Sequence, residues 1–126
     1  MRVLLDTQVF LDAYTGDAPL SRKVQNLLSN PDTIRLLSSL SIMEIALKHG
    51  AGKLKMGLAE TREAIRDLRL QVIDFSQDHA LGMYDLPFHH RDPFDRMLIA
   101  TAMVEDIPLV GSDRQFKKYK GLKVIW

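Results

Sequence analysis

The sequence predicts an α/β fold in which helices cover both faces of a mostly parallel sheet of about five strands. Short apolar runs, typical of buried strands, alternate with segments in which apolar residues recur at helical spacing. Strands separated by helices indicate βα units with right-handed crossovers. The 126 residues favour a single domain, residues 1–126, and a hydrophobic content of 46% is sufficient for a core.

The first half of the chain contains two predicted strands and three predicted helices. Val3–Asp6 is a short, continuous apolar run of the kind found in buried parallel strands. Asn30-Pro31 and two later glycines are stop signals for the helices that precede them. The remaining elements are predicted at Leu20–Ser29 (helix), Ile34–Leu37 (strand), Ser41–His49 (helix) and Ala59–Leu68 (helix).

The second half repeats this alternation of strand and helix. A short helix is predicted to end before Pro87, and the longest helix of the chain follows it. The predicted elements are Val72–Phe75 (strand), Asp78–Tyr84 (helix), Asp92–Glu105 (helix), Pro108–Val110 (strand) and Lys123–Ile125 (strand).

Four acidic residues lie beside apolar runs, where an unpaired carboxylate is costly. Asp6 and Asp113 follow the ends of predicted strands, whereas Glu44 and Asp95 lie in the predicted first turns of helices. Ligands of such sheets bind beyond the carboxyl ends of the strands, so we expect the four acids to share one rim. The cluster indicates a divalent-metal site, and ligands that are all oxygen favour Mg²⁺ or Mn²⁺ over zinc.

Helix capping is an alternative explanation for Glu44. Ser41 is the predicted N-cap of a capping box in which Glu44 occupies the third helical position. The two roles are compatible, because the first turn of a helix favours a negative side chain. Capping does not explain Asp6, which therefore gives the strongest independent indication of a site.

Capping also applies to the acids of the second half. Asp92 is the predicted N-cap of the longest helix, with Pro93 at the first helical position and Asp95 at the third. Asp92 is therefore interpreted as a cap and Asp95 as the ligand. Asp113 could cap a short helix over Arg114–Tyr119.

The residues beside these acids each have two possible roles. Thr7 could orient Asp6 by hydrogen bonding or could be a turn residue, and Ser112 beside Asp113 is equally ambiguous. His89 and His90 lie in a predicted loop. Because neighbouring residues of an extended chain point in opposite directions, a structural or substrate-side role is favoured over joint metal binding.

Composition excludes several classes of protein. The chain has no cysteine, which rules out disulfides, zinc–thiolate sites and a thiol nucleophile, and is compatible with a cytoplasmic location. Asp6 and Asp12 interrupt the apolar N-terminus, so a signal peptide or a membrane span is not expected there. The net charge of +1 does not predict strong binding to duplex nucleic acid, although the basic segment from Arg114 to Lys123 is either solvated surface or a phosphate-facing patch.

Three segments carry a resemblance to a known family. LLDTQVFLDAY, SSLSIMEIALKHGAGKL and LPFHHRDPFDRMLIATAMVEDIPLVGSDRQFKKY resemble, in this order, the PIN-domain family and more closely the VapC toxins of type II toxin–antitoxin pairs. The resemblance covers nearly the whole chain, and HHRDPFDRMLIATA followed by LVGSD is its most specific part. It implies a PIN-like three-layer α/β/α sandwich with a metal site at Asp6, Glu44, Asp95 and Asp113.

The resemblance also implies an activity. A protein of this kind is a metal-dependent endoribonuclease that hydrolyses single-stranded RNA with Mg²⁺ or Mn²⁺. Asp6 and Asp95 are then expected to bind the first ion directly, and the other two acids partly through water or at a second ion. Arg96, Arg114 or Lys117 could contact the substrate backbone.

Partners follow from the resemblance as well. It implies a cognate antitoxin whose C-terminal segment covers the active-site groove, together with toxin homodimers and toxin–antitoxin hetero-oligomers. Phe10, Leu11 and Tyr14 belong either to such an interface or to the core. Two positions depart from the family pattern: Gln8 stands where relatives often have His or Asn, and Asp12 where many have Trp.

Other classes of similar size fit less well. A phosphoacceptor receiver domain needs paired acids after its first strand and a Lys after its last strand but one, whereas here a single Asp6 follows the first strand and IPLVGSD contains no Lys. A haloacid-dehalogenase phosphatase needs Asp-x-Asp, where this chain has Asp6-Thr7-Gln8. The remaining alternative is a catalytically silent PIN-fold binding module, against which the presence of all four acids argues.

Overall fold

Five parallel strands form the centre of the protein in the computed structural model, which describes residues 1–126. Every hydrogen-bonded pair of strands is parallel, which confirms the predicted α/β class and shows that the sheet contains no antiparallel strand. The strands are β1 (Arg2–Leu5), β2 (Ile34–Ser38), β3 (Gln71–Ile73), β4 (Leu109–Val110) and β5 (Val124–Ile125). They lie in the order β3-β2-β1-β4-β5.

Six α-helices connect the strands, and five of them lie close to the predicted positions. None is both long enough and apolar enough to cross a membrane. The helices are α1 (Thr7–Thr15), α2 (Arg22–Ser29), α3 (Ser39–Gly50), α4 (Leu58–Asp67), α5 (Gln77–Gly82) and α6 (Pro93–Glu105). Short 3-10 helices occupy Met83–Asp85 and Arg114–Lys118.

The core lies on both faces of the sheet, because successive residues of a strand point to opposite sides. Leu4 of β1 packs in one cluster with Leu98 of α6. Leu5, the next residue, packs on the opposite face with Val9 of α1 and Val24 of α2. Helices therefore cover both faces, which confirms the expected three-layer arrangement.

Helix α1 is the element that the sequence does not predict. Asp6 caps its N-terminus and Gly16, with a φ of 73°, ends it in the left-handed conformation that glycine tolerates best. The adjacent apolar residues Val9 and Phe10 do not form a long pattern of helical spacing. Phe10 is completely buried and packs beside Ile45, which favours the core over the interface among its two alternatives.

Helix α3 begins earlier than predicted. Its N-cap is Ser38, whose side chain accepts a hydrogen bond from the backbone of Leu40. The predicted capping box between Ser41 and Glu44 is therefore wrong, and Glu44 lies in the second turn instead of the first. The reason is that β2 continues through Ser38 and leaves no loop before the helix.

The order of the strands creates a switch point between β1 and β4. The chain builds the sheet outward from β1 to β3 and then places β4 on the other side of β1. Leu5 is in register with Val110, and the backbone N–H of Asp6 donates to the carbonyl of Val110 at 3.0 Å. The carboxyl ends of β1 and β4 thus lie side by side, where open parallel sheets bind their ligands.

Candidate active site

A cleft of about 400 Å³ opens at this switch point, and all four predicted acids line it. Gly111, directly after β4, permits their close approach. A Cβ atom at this position would lie 2.6 Å from Oδ2 of Asp6 and 2.6 Å from the ring of Phe116. A residue without a side chain is therefore required here if Asp6 is to face the cleft.

Asp6 enters the cleft from the junction of β1 and α1. Its Oδ1 accepts a hydrogen bond of 2.7 Å from the backbone N–H of Val9, so the side chain caps α1. The view that capping does not explain Asp6 is thus wrong. Burial raises the pKa of this carboxyl to about 7; the Val9 bond opposes that shift, while the charges of Asp113, Asp12 and Glu44 add to it.

Asp95 enters from the first turn of α6. Asp92 caps this helix by accepting a hydrogen bond of 3.1 Å from the backbone N–H of Asp95, which confirms Asp92 as the cap and Asp95 as the residue at the third helical position. Burial raises the pKa of the Asp95 carboxyl to about 7, and the neighbouring acids Asp92, Asp6, Asp113 and Glu44 raise it further in that order. Two carboxyl groups of the cleft thus resist ionisation at neutral pH.

The two carboxylate oxygens of Glu44 differ, because one is paired with a lysine and the other has no hydrogen-bond partner. Its Oε2 forms an ion pair with Nζ of Lys48 at 2.8 Å, one turn further along α3. Its Oε1 is buried and has no hydrogen-bond partner. A buried carboxylate oxygen without a partner is costly, so Oε1 is a free ligand position beside the other acids.

Asp113 follows β4 and caps the 3-10 helix Arg114–Lys118, accepting a hydrogen bond of 2.9 Å from the backbone N–H of Gln115. The predicted cap of a short helix is confirmed. One ligand atom of Asp113 lies within 4.8 Å of ligand atoms of Asp95 and His90. The capping bond leaves the second carboxylate oxygen of Asp113 available to a ligand.

The residues predicted to support the site differ in whether they reach the cleft. Thr7 donates a hydrogen bond of 2.9 Å to the hydroxyl of Ser41, so it ties α1 to α3 and does not orient Asp6. Ser112 and Asp92 line the cleft. Arg114 is exposed at the start of its 3-10 helix, and a contact of this residue with substrate stays a prediction.

Arg96 does not face the cleft. It is 5% exposed, donates a hydrogen bond of 2.7 Å to the carbonyl of Pro87 and lies 4.0 Å from the ring centre of Phe88. A second bond of 3.3 Å reaches the hydroxyl of Tyr119. The expectation that Arg96 contacts a substrate backbone is therefore wrong, because its donors hold the protein's own loop.

The structure adds residues to the site that the sequence does not single out. Lys48 and Lys53 line the same cleft, and the pKa of Lys48 is raised, chiefly by its hydrogen bond to Glu44. The spacing of four residues between Glu44 and Lys48 is the sequence signal for this pair.

Gln8 and Asp12, the two residues that depart from the family pattern, contact each other, since the Gln8 amide donates a hydrogen bond of 3.0 Å to the Asp12 carboxylate.

These residues fit a hard divalent cation. Four carboxylates supply oxygen ligands without any thiolate, which suits Mg²⁺ or Mn²⁺. Burial, aided by the neighbouring acids, raises the pKa values of Asp6 and Asp95, and one oxygen of Glu44 has no partner although the other is paired with Lys48. A bound dication would stabilise the ionised carboxylates of Asp6 and Asp95 and would give the free oxygen of Glu44 a partner.

Comparison with known proteins identifies the family. A model of the PIN domain matches residues 3–122 of the chain. A search of curated proteins finds no match.

Several solved structures share the fold. One is a chain of VapBC2 from Rickettsia felis bound to a DNA fragment from their promoter, with a TM-score of 0.75, 22% identity, and coverage of 99% of this chain and 98% of that one. A chain of DNA-bound VapBC from Salmonella typhimurium has a TM-score of 0.70, 21% identity and coverage of 99% and 97%. VapBC-5 from Mycobacterium tuberculosis, a member of a toxin–antitoxin family, has a TM-score of 0.62 and 17% identity, with coverage of 98% of this chain and 97% of that one. Because the PIN model spans nearly all of the sequence, the chain belongs to the PIN domain family.

Proposed function

We propose that this protein is a VapC-type toxin, a metal-dependent endoribonuclease that hydrolyses phosphodiester bonds of single-stranded RNA. The observation that carries the proposal is the convergence of Asp6, Glu44, Asp95 and Asp113 in one cleft at the switch point of the sheet. Nucleases of this kind need a concentrated negative charge that a metal ion can occupy. Membership of the PIN family and the VapBC neighbours support the same activity.

Asp6 and Asp95 would hold the ion directly, and Glu44 and Asp113 would complete the site through water or at a second ion. When bound, Mg²⁺ or Mn²⁺ supplies an activated water and neutralises charge on the scissile phosphate. The role of Asp6 depends on its capping bond, which fixes one oxygen on Val9 and leaves the other toward the cleft.

The remaining chemistry of the cleft concerns the substrate. Lys48 and Lys53 are cationic groups beside the acids, suited to phosphate oxygens of a bound RNA chain. No side chain serves as a covalent nucleophile in this proposal, since the hydroxyl of Thr7 is already bonded to Ser41 and no histidine hydrogen-bonds to Ser112. Water is therefore the attacking group.

A cognate antitoxin is the proposed protein partner. The solved neighbours are described as VapBC or toxin–antitoxin complexes, which supports an antitoxin for this chain too. An acidic cleft would accept a basic side chain from such a partner, which would block both metal and substrate. We also propose that the toxin forms homodimers, and hetero-oligomers with its antitoxin, in the cytoplasm.

The activity is tested by incubating the purified protein with single-stranded RNA and either Mg²⁺ or Mn²⁺. We expect internal cleavage that Asp6→Asn and Asp95→Asn each reduce by at least about 100-fold, since each removes a ligand charge. Asp17→Asn, an exposed acid beyond the end of α1, is the matched control and should retain activity. Full activity in both site variants, or in excess EDTA, would disprove the proposal; RNA binding without cleavage would favour a silent binding module.

A further inference from the structure

His90 lies in the loop before α6, two residues ahead of the N-cap Asp92. Its ring packs edge-on against Phe116 and Tyr119, with centroid distances of 6.4 and 5.6 Å, and its side chain is 11% exposed. Nδ1 lies 2.8 Å from the hydroxyl of Tyr119. Nε2 lies 3.6 Å from Oδ2 of Asp95 and has neither solvent contact nor a hydrogen-bond partner.

The hydrogen bonds around Tyr119 determine which ring nitrogen of His90 carries the proton. Nη1 of Arg96 lies 3.3 Å from the Tyr119 oxygen, and a guanidinium group can only donate. The Tyr119 oxygen therefore accepts from Arg96, and its own O–H needs a different acceptor. Tyr119 is 2% exposed, and Nδ1 of His90 is the acceptor within reach. Nδ1 is thus unprotonated, and the neutral ring carries its hydrogen on Nε2.

We propose that His90 is a positioning residue that donates Nε2–H to Asp95, and that it is not itself a metal ligand. The line of donors runs from Arg96 through Tyr119 and His90 to Oδ2 of Asp95. It would fix the rotation of the Asp95 carboxylate and leave the other oxygen for the ion. This inference rests on the proposed function, in which Asp95 binds the ion.

The distance between the two groups is consistent with this role. A separation of 3.6 Å is longer than a formed hydrogen bond. The terminal torsion of an aspartate is soft, and such contacts often tighten only when the site is loaded. A hydrogen bond from a neighbouring group is also the usual means by which a ligating carboxylate is oriented. The alternative, in which Nε2 binds metal beside Asp95 and Asp113, requires the proton on the other ring nitrogen.

The first test uses nuclear magnetic resonance of the metal-free protein at pH 8 and needs no enzymatic activity. Long-range correlations between ring protons and ¹⁵N nuclei identify the protonated nitrogen of each of the four histidines. His90→Gln assigns the His90 signals by their loss. We expect His90 to be protonated at Nε2 and Tyr119→Phe to remove that preference. A ring protonated only at Nδ1 in the unmodified protein would overturn the proposal, whatever the activity of the protein.

The second test separates positioning from ligation by Mn²⁺ affinity, measured by calorimetry. His90→Leu removes the donor, and we expect it to weaken Mn²⁺ binding by about 10- to 100-fold. His90→Gln offers an amide N–H at nearly the place of Nε2 and should recover most of that loss. His49→Gln, on an exposed histidine of α3 that hydrogen-bonds to the carbonyl of Leu54, is the control and should bind Mn²⁺ normally.

The outcomes distinguish this inference from the proposed function. Circular dichroism would establish that each variant is folded. Equal Mn²⁺ affinity in His90→Leu and the unmodified protein would reject the positioning role while leaving the nuclease proposal intact. Absence of Mn²⁺ binding in the unmodified protein would reject the metal site itself. The position of the His90 proton would then be decided by the nuclear magnetic resonance test alone.

Discussion

Replacing Asp6 with asparagine should stabilise the metal-free protein at alkaline pH, although it removes a proposed ligand. Asn has the same shape and is as good an N-cap as Asp, so the bond from the Val9 N–H can be kept. What is lost is a negative charge that is 6% exposed and lies among Asp113, Asp12 and Glu44. The substitution therefore isolates the electrostatic cost of the site.

The magnitude follows from the raised pKa of Asp6. A shift of the pKa from 3.8 to about 7 corresponds to about 4 kcal/mol between the two protonation states, at about 1.4 kcal/mol per unit. Because the pKa is higher in the folded protein, the folded state binds more protons, and stability is lost as pH rises through about 7. Below the unfolded pKa of 3.8 both states are protonated and no cost remains.

The predicted pattern depends on pH. We expect Asp6→Asn to raise the free energy of unfolding by up to about 4 kcal/mol at pH 8 and by less than about 2 kcal/mol at pH 5. The assay is urea unfolding followed by circular dichroism, with EDTA present throughout. The control is Asp17→Asn, which removes an exposed charge outside the cleft and should change stability by less than about 0.5 kcal/mol.

Two results would refute the reasoning. If Asp6→Asn were destabilising at pH 8, the carboxylate would contribute more through its capping bond than it costs through burial. If the difference between the variant and the unmodified protein were the same at pH 5 and pH 8, Asp6 would not titrate in this range. Asp95 also has a pKa of about 7, so some dependence on pH will remain in the variant itself.

Three further predictions concern the same cleft. Mn²⁺ should raise the free energy of unfolding more at pH 8 than at pH 5, because protons compete for the carboxylates; equal effects in parallel urea titrations would contradict this. Gly111→Ala should lower the free energy of unfolding by about 1–3 kcal/mol, since its Cβ would lie 2.6 Å from the Asp6 carboxylate. The control Gly50→Ala, whose Cβ meets no neighbour, should not destabilise the protein. Similar unfolding midpoints for the two variants would count against the close approach. Lys48→Met should tighten Mn²⁺ binding roughly fivefold by calorimetry, because about 1 kcal/mol of competing attraction to Glu44 disappears; weaker binding would show that Lys48 supports the site.

The sequence predicts the sheet and five of the six helices because their signals are local. Apolar runs reveal the buried parallel strands, and Asp92-Pro93 marks the start of α6 at the position observed. The local signals of α1 are only its two caps, Asp6 and Gly16, because the helix has 9 residues and its buried apolar residues Val9 and Phe10 are adjacent. Its stability comes from packing against the sheet, which a local pattern does not report.

The four acids are predictable as a set, but their individual environments are not. Position after the ends of strands or within the first two turns of helices places them on one rim. The surroundings of each acid depend on contacts between distant parts of the fold, such as the approach of Gly111 to Asp6 and the line of hydrogen bonds that joins His90, Tyr119 and Arg96 beside Asp95. Arg96 illustrates the limit, because adjacency to Asp95 in the sequence suggests the cleft whereas its side chain contacts the carbonyl of Pro87 and the ring of Phe88.

Helix capping and metal binding are not competing explanations for the acids of this protein. Asp6 and Asp113 each use one carboxylate oxygen to cap the helix that follows them. A carboxylate has two oxygens, and the cap fixes the orientation of the second without using it. Capping therefore limits the rotation of these side chains before any ligand arrives, which reduces the conformational entropy lost on binding. An acid that caps a helix at the carboxyl edge of a parallel sheet should accordingly be weighted upward as a candidate ligand, since the same bond that accounts for its presence also holds it in place.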